Sequence, residues 1–243
     1  MTYPRLRPLG DTALSVEFGE RIDAALNARA RALSYDLAQN PITGVVDVVP
    51  TYRAVLVSYD PHVIRGATLE TALNERLRAP LGAPENAPQS GALWHVPVVY
   101  GAETGCDLAP LARDKGLSEQ ALIALHCSVE YRVYMIGFAP GFAYLGGLPE
   151  QLHAPRLATP RQWVPAGAIG IGGQQASINS VAGPSGWRYI GQTPWRSFDP
   201  DRARPFLFAA GDRIRFIPVS AREGQDIAAR AAMPDAPLPE PQP

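Results

Sequence analysis

Lysine is almost missing from this chain. Lys115 stands alone beside 21 arginines in 243 residues. A phosphate-binding Walker loop ends in Gly-Lys-[Ser/Thr] because the ammonium must reach the β- and γ-phosphates. Lys115 lies in Asp114-Lys115-Gly116-Leu117, so that loop is excluded, and Lys115 reads as a solvated side chain near a helix end. A Schiff-base lysine or a biotin attachment lysine would have to be the same residue, in a setting unsuited to either. Cysteine is scarce too. Cys106 and Cys127 give neither a disulfide framework nor a CxxC pair, in keeping with a cytoplasmic location. Formal net charge is −1, which lacks the basic excess of a nucleic-acid or anionic-membrane surface. No apolar run approaches a membrane span, and Met1-Thr2-Tyr3-Pro4 does not open a secretory signal.

Glycine and proline are abundant instead, at 22 and 25 residues, which favours turns over long helices. Leu14, Val16 and Phe18 alternate as in a strand. Ile22, Leu26, Ala30, Leu33 and Leu37 follow helical spacing up to Asn40-Pro41. Residues 45–49 and 53–59 read as strands and 68–78 as a helix. Together they predict a small N-terminal α+β domain over 1–82. The stretch Pro80 to Ser90 is too poor in apolar side chains to pack a core, so 83–92 is expected to be a linker. Beyond it, strands are expected at 94–100 and 130–136, short helices at 108–115 and 119–126, and a closing hairpin from 206–209 and 213–218. Short strands joined by shaped loops make 93–220 a mainly β barrel or sandwich domain. Five prolines in the last ten residues predict an extended, mobile tail over 221–243, with at most one helical turn near Ile227.

The chemistry-bearing residues are few. The four histidines, His62, His95, His126 and His153, have no metal-ligand spacing, and no metal is expected. Ser185 is flanked as Gly183-Pro184-Ser185-Gly186, which is not a nucleophile elbow and reads as a loop serine. Gly167, Gly170, Gly172 and Gly173 crowd one segment, allowing close backbone approach by another strand or by a ligand. Most informative is the loop from Gly137 to Pro149, where Gly137, Pro140 and Gly141 fix the path and Phe138, Phe142 and Tyr144 offer flat apolar faces. Arg156 and Arg161 each follow a proline, with Pro165 and Gly167 shaping the chain just beyond. A guanidinium on a stiff loop suits a carboxylate or phosphate; an exposed or backbone-bracing arginine is the equal alternative.

Taken in order, His126 with Tyr131-Arg132-Val133, the run Gly137 to Leu145, Pro155-Arg156, Pro160-Arg161, Val164-Pro165-Ala166-Gly167, Gly186-Trp187, Ile190-Gly191 with Thr193-Pro194, and Ala210-Gly211-Asp212 resemble the allophanate hydrolase subunit 1 family. That family includes 5-oxoprolinase B subunits and the kinase inhibitor KipI. Gly10-Asp11, Tyr52-Arg53, Asp60-Pro61 and Tyr100-Gly101 with Gly105, Asp107 and Leu108 extend the resemblance over residues 5–219. It implies a cyclophilin-like β-barrel after the α+β domain, hence an α+β fold class. It implies the B component of an ATP-dependent 5-oxoprolinase. Such a component works with a homologous C-type subunit, of the allophanate hydrolase subunit 2 kind, and with an A-type one to open 5-oxoproline to glutamate. ATP enters at the level of the complex, without covalent biotin. On this resemblance Arg156 and Arg161 would hold a carboxylate or phosphate, the loop carrying Phe138, Phe142 and Tyr144 would form an apolar wall, and Gln174 and His126 complete the candidate binding set. No catalytic nucleophile or base is assigned. A KipI-like module binding a sensor histidine kinase and a carboxyltransferase-type component of a urea or allophanate pathway are the alternatives.

The chain also departs from the family pattern. Ser185 replaces a glycine, Gln192 an arginine, and Asn179-Ser180 a Tyr-Pro pair, while Cys106 stands where proline is common. These changes fall in the segment expected to line the site, so they bear on substrate choice.

Overall fold

The computed structural model describes residues 3–78, 91–231, 233 and 239–242. The chain folds as two compact units, Met1–Gln89 and Ser90–Pro243. Most of the segment expected as a linker lies outside the described residues.

In the first unit, β1 (Arg5–Pro8), β2 (Ala13–Glu17), β3 (Val45–Pro50) and β4 (Ala54–Tyr59) form an antiparallel sheet of order β1-β2-β4-β3. Two helices, α1 (Ala24–Gln39) and α2 (Gly66–Arg78), bury Leu33, Leu37, Leu69 and Leu73 against Leu14, Val16, Val55 and Val57. Helix α1 starts after Ile22, because the Asp23 carboxylate accepts from the amides of Ala25 and Leu26 at 2.9 and 3.1 Å and so caps the first turn. β1 carries only one large apolar side chain, Leu6, and ends in Pro8, which an edge strand tolerates.

The second unit is built on a closed barrel of order β10-β7-β6-β13-β5-β12-β9. Its strands are β5 (Leu93–Tyr100), β6 (Tyr131–Ile136), β7 (Ala143–Gly146), β9 (Ala168–Gly172), β10 (Gln175–Ile178), β12 (Arg188–Gln192) and β13 (Arg213–Pro218). β13 runs parallel to β5 and antiparallel to β6. The expected hairpin between 206–209 and 213–218 does not form: Leu207 bonds back to the Ser197 carbonyl, and Phe198 bridges Phe206. Alternation sends Trp94, Val96, Val98, Val133, Leu145, Ile169, Ile171, Ala176, Ile178, Ile214 and Phe216 into one core, joined by Leu108, Leu111 and Leu122 of α3 (Leu108–Asp114) and α4 (Glu119–Cys127). Lys115 closes α3 and donates to the His153 carbonyl rather than standing free in solvent. The Asp212 carboxylate fastens the barrel's parallel seam, accepting from Ala92 N at 3.1 Å, Trp94 Nε1 at 2.9 Å and Ala209 N at 2.9 Å.

Outside the barrel, β8 (Arg161–Val164) pairs with β11 (Gly183–Ser185) in a separate two-stranded ribbon.

The end of the chain corrects the expectation of an extended tail. Residues Ala221–Ala231 form a helix, α5. Ser220 and Glu223 make a reciprocal capping box: Glu223 N donates to Ser220 Oγ at 3.2 Å, and Ser220 N donates to a Glu223 carboxylate oxygen at 2.7 Å. These bonds hold the Glu223 carboxyl below its ordinary pKa. The helix lies against β5, with buried Gly224 so close to Val99 that an added Cβ would come within 2.4 Å of a methyl group. Further on, Gln242 N bonds to Leu93 O at 2.7 Å. Gly224→Leu should therefore lift α5 from the barrel. Overpacking costs about 1–3 kcal/mol and helix propensity returns about 1 kcal/mol. A Tm lowered by a few degrees is expected in thermal unfolding, and an unchanged or raised Tm would show that α5 does not dock.

Candidate functional site

The site grows from two glycines in the barrel wall. An added Cβ on Gly172 would come within 2.7 Å of the Trp187 ring, and one on Gly170 within 3.0 Å of the Tyr189 ring. The bare backbone of β9 is thus a flat floor on which both rings lie. Within the glycine-crowded segment, Gly170 and Gly172 accommodate neighbouring side chains, Gly167 the backbone carbonyl of Thr193, while Gly173 faces open space. Trp187 and Tyr189 form a second small core with Val164, Ala168 and Tyr144, outside the barrel.

The loop after β6 adds to this layer. Phe142 N bonds to Ala139 O at 3.0 Å and Gly137 N to Phe142 O at 3.1 Å, closing a tight turn that contains Pro140. Gly141 has φ +74°, and a side chain there would strike Phe198. Phe138 also adopts positive φ, +72°, and is 78% exposed; a non-glycine residue in that region is uncommon. Its ring packs edge-on to Phe142 at 5.5 Å. Phe142 meets Tyr144 at 4.7 Å and Trp187 at 6.1 Å. Gly167, at φ +78°, joins Pro165 in turning the chain between β8 and β9, and its amide bonds to Asn179 O at 2.8 Å.

Between the loop and the ribbon lies an open cleft of about 180 Å³, lined by Phe138, Phe142, Asn179, Val181, Pro184 and Ser185 together with small residues. Among the described residues no charged side chain lines it. Its polar groups belong to one hydrogen-bonded chain. Trp187 N donates to Ser185 Oγ at 3.3 Å, Ser185 Oγ lies 2.7 Å from the Tyr189 hydroxyl, and that hydroxyl donates to Asn179 Oδ1 at 3.1 Å. Burial raises the Tyr189 pKa, so the phenol stays protonated. Two of the family departures, Asn179 and Ser185, are therefore joined through Tyr189.

The two arginines sit elsewhere. Arg161 Nη2 binds Asp107 Oδ1 at 2.7 Å, and Asp107 Oδ2 accepts from Tyr189 N at 2.7 Å. Asp107 is 4% exposed, and its bond raises the Arg161 pKa further. Arg161 is thus a brace for a buried carboxylate, which corrects its reading as an uncommitted anion clamp. Arg156 lies over the Trp187 ring, 5.2 Å from its centre, on the aromatic layer and not among the cleft residues. Gln174 is exposed in the turn between β9 and β10, also away from the cleft lining.

His126 is no surface ligand either. It is fully buried in α4, stacked on Phe216 at 4.7 Å, with Nδ1 bonded to the Tyr100 hydroxyl at 2.8 Å. Burial lowers its pKa to about 3. The Tyr100 hydroxyl also touches Cys127 Sγ at 3.3 Å, and burial raises the pKa values of Tyr100 and Cys127 alike. The thiol is thus kept in its unreactive protonated form. Gln192 spans Thr104 and the Ala166 carbonyl at 3.0 and 2.7 Å, a bracing role. The cleft offers apolar faces and oriented dipoles, and among the described residues no base lies against Ser185. Val181 of the lining and Tyr189 behind it carried no motif. Only the departures at 179 and 185 marked the spot.

Arg161→Ala leaves Asp107 short of a partner and should cost about 1–3 kcal/mol of stability, with lysine restoring only part of it. Denaturant unfolding that finds no loss would free Arg161 from the bracing role. His126 gives a pH dependence. It binds its proton near pH 6.5 when unfolded but only near pH 3 when folded. Between these values the unfolded state holds the extra proton, so stability present above the higher value declines as pH falls, by up to about 1.4 kcal/mol per unit. His126→Gln should lose less stability than the wild type on acidification from about pH 6.5 to about pH 5 in urea titrations; equal losses would contradict a buried neutral imidazole.

The sequence matches the carboxyltransferase domain family, subdomain C and D, over residues 4–208. It is 34% identical over 229 residues to the 5-oxoprolinase B subunit of Bacillus subtilis (strain 168), covering 90% of this chain and 94% of that one. Its identity to the 5-oxoprolinase B subunit of Escherichia coli O157:H7 is 41% over 219 residues, covering 90% and 97%. Among solved structures, TTHA0988 superposes with a TM-score of 0.75 at 34% identity, covering 89% of this chain. The chain spans 40% of TTHA0988, so that protein holds a further large part without a counterpart here. A two-unit chain with a closed barrel, matched along nine-tenths of its length by such relatives, belongs to the carboxyltransferase-domain family, subdomain C and D, together with the B subunits of 5-oxoprolinases.

Proposed function

We propose that this chain is the B component of an ATP-dependent 5-oxoprolinase, opening 5-oxoproline to L-glutamate together with A-type and C-type subunits. The likeness to 5-oxoprolinase B subunits along almost the whole of both chains carries the reading. The reaction adds water across the ring C–N bond, giving the side-chain carboxylate and the α-ammonium of glutamate. A lactam is resonance-stabilised, so coupling to conversion of ATP to ADP and phosphate supplies the drive. Within that division the outer cleft holds the ring between Phe138, Phe142, Val181 and Pro184. Nucleophile activation and phosphate handling fall to the partners, because no base faces Ser185 and the only lysine is engaged with His153.

The test is co-expression with A-type and C-type partners, followed by an assay of glutamate release. The expected result is 5-oxoproline-dependent ATP turnover by the complex and none by this chain alone. Turnover by the isolated chain, or none by a verified three-component complex, overturns the proposal.

A further inference from the structure

We propose that Asn179 is the specificity-determining residue of the cleft, its side-chain amide donating to the ring carbonyl of a small lactam, with Tyr189 and Ser185 as positioning residues. The inference rests on reading the cleft as the lactam site and deepens it. Asn179 is fixed on both sides of its backbone: its N–H donates to Ala168 O at 2.9 Å, and its carbonyl accepts from Gly167 N at 2.8 Å. Only 5% of the residue is exposed, yet it lines the cleft. The direction of the hydrogen-bonded chain sets what it presents. The Trp187 backbone amide is an obligate donor, so Ser185 Oγ accepts at that end. The Tyr189 hydroxyl lies 2.7 Å from Ser185 Oγ and 3.1 Å from Asn179 Oδ1 and donates its one proton to either oxygen. In both cases it is the amide oxygen of Asn179 that faces the phenol. The Asn179 NH₂ group remains as the donor offered to the cleft.

The lining decides what that donor meets. Phe138, Phe142, Val181 and Pro184 supply apolar walls, and no charged side chain among the described residues joins them. A carboxylate inserted here would be desolvated with no cation opposite it, a far larger cost than burying a hydrogen-bonded neutral amide. A neutral ring carbonyl matches the Asn179 donor. The carboxylate of a ligand such as 5-oxoproline would therefore point to the open mouth, beside exposed Phe138. The small volume limits the occupant to one ring.

Two measurements decide it. In the assembled complex, Asn179→Leu should raise KM for 5-oxoproline about tenfold, and Tyr189→Phe about threefold, with Tm kept and kcat little changed. Tyr189→Phe retains the ring on its glycine floor and so guards against simple misfolding; unchanged KM in both variants overturns the inference. By saturation-transfer NMR, the purified wild-type chain should bind 2-pyrrolidone, a neutral lactam, and bind proline, which has the carboxylate but no ring carbonyl, at least tenfold more weakly. Asn179→Leu should lose 2-pyrrolidone. Absence of 2-pyrrolidone binding to the wild type, retention by the variant, or equal binding of proline overturns the inference. A complex inactive on 5-oxoproline would sink the proposed function while leaving the NMR measurement to decide the role of Asn179.

Discussion

The aromatic layer outside the barrel hangs on the contact between the bare backbone of Gly170 and Gly172 and the rings of Trp187 and Tyr189. A β-strand normally presents a row of side chains to the layer above it. Here β9 sends Ile169 and Ile171 into the barrel core and on its other face shows bare main chain at Gly170 and Gly172, with Ala168 the one side chain there. The rings therefore approach far more closely than any alanine-bearing strand would allow. Trp187 is the platform for Phe142, Tyr144 and Arg156, while Tyr189 carries the polar chain to Asn179 and Ser185. One missing pair of methyl groups thus sets the height of a whole aromatic layer and the orientation of the polar groups above it.

Charge is used within this unit as a fastener. Asp212 gathers two backbone amides and an indole N–H, whereas Asp107 gathers one backbone amide and one guanidinium. Both carboxylates are nearly buried, a state tolerable only because each is met by several donors. Asp107 also ties the start of α3 to β12 through Tyr189 and to the ribbon through Arg161. The same bonds that settle the floor under the site therefore settle its rim, and the cleft between them is left free of charge.

Much of the fold was legible because alternation and helical spacing act over adjacent residues. Leu14, Val16 and Phe18, or Trp94, Val96 and Val98, announce strands whatever lies elsewhere. Long-range facts were not legible in that way. The partner of Arg161 is 54 residues away, and nothing near Pro160 hints at a buried carboxylate. His126 looks like a ligand by type, and only the packing of Phe216, Tyr131 and Tyr100 around it makes it a core residue. In the last segment the prolines masked a local signal that was present: Ser220 followed three residues later by Glu223, with Gly224 placed to let the helix dock. The aromatic loop was visible because glycine and proline there are costly in any other role, while the opposite wall, Val181 to Ser185, read as ordinary turn residues.

The arrangement also bears on how the groups around the cleft are held. A nucleophilic serine needs a base to take its proton, and Ser185 instead faces a phenol whose pKa burial has raised. The buried histidine is inside the barrel core, with its pKa lowered to about 3, so it holds no proton at neutral pH. The nearby thiol is pushed up by the same burial. The Tyr189 phenol, the His126 imidazole and the Cys127 thiol are thus each held neutral by low-dielectric surroundings. What burial leaves intact is dipole orientation, since a hydrogen bond between neutral groups strengthens as water is excluded. On the proposal made for Asn179, a site built this way discriminates by shape and by the polarity of a single amide.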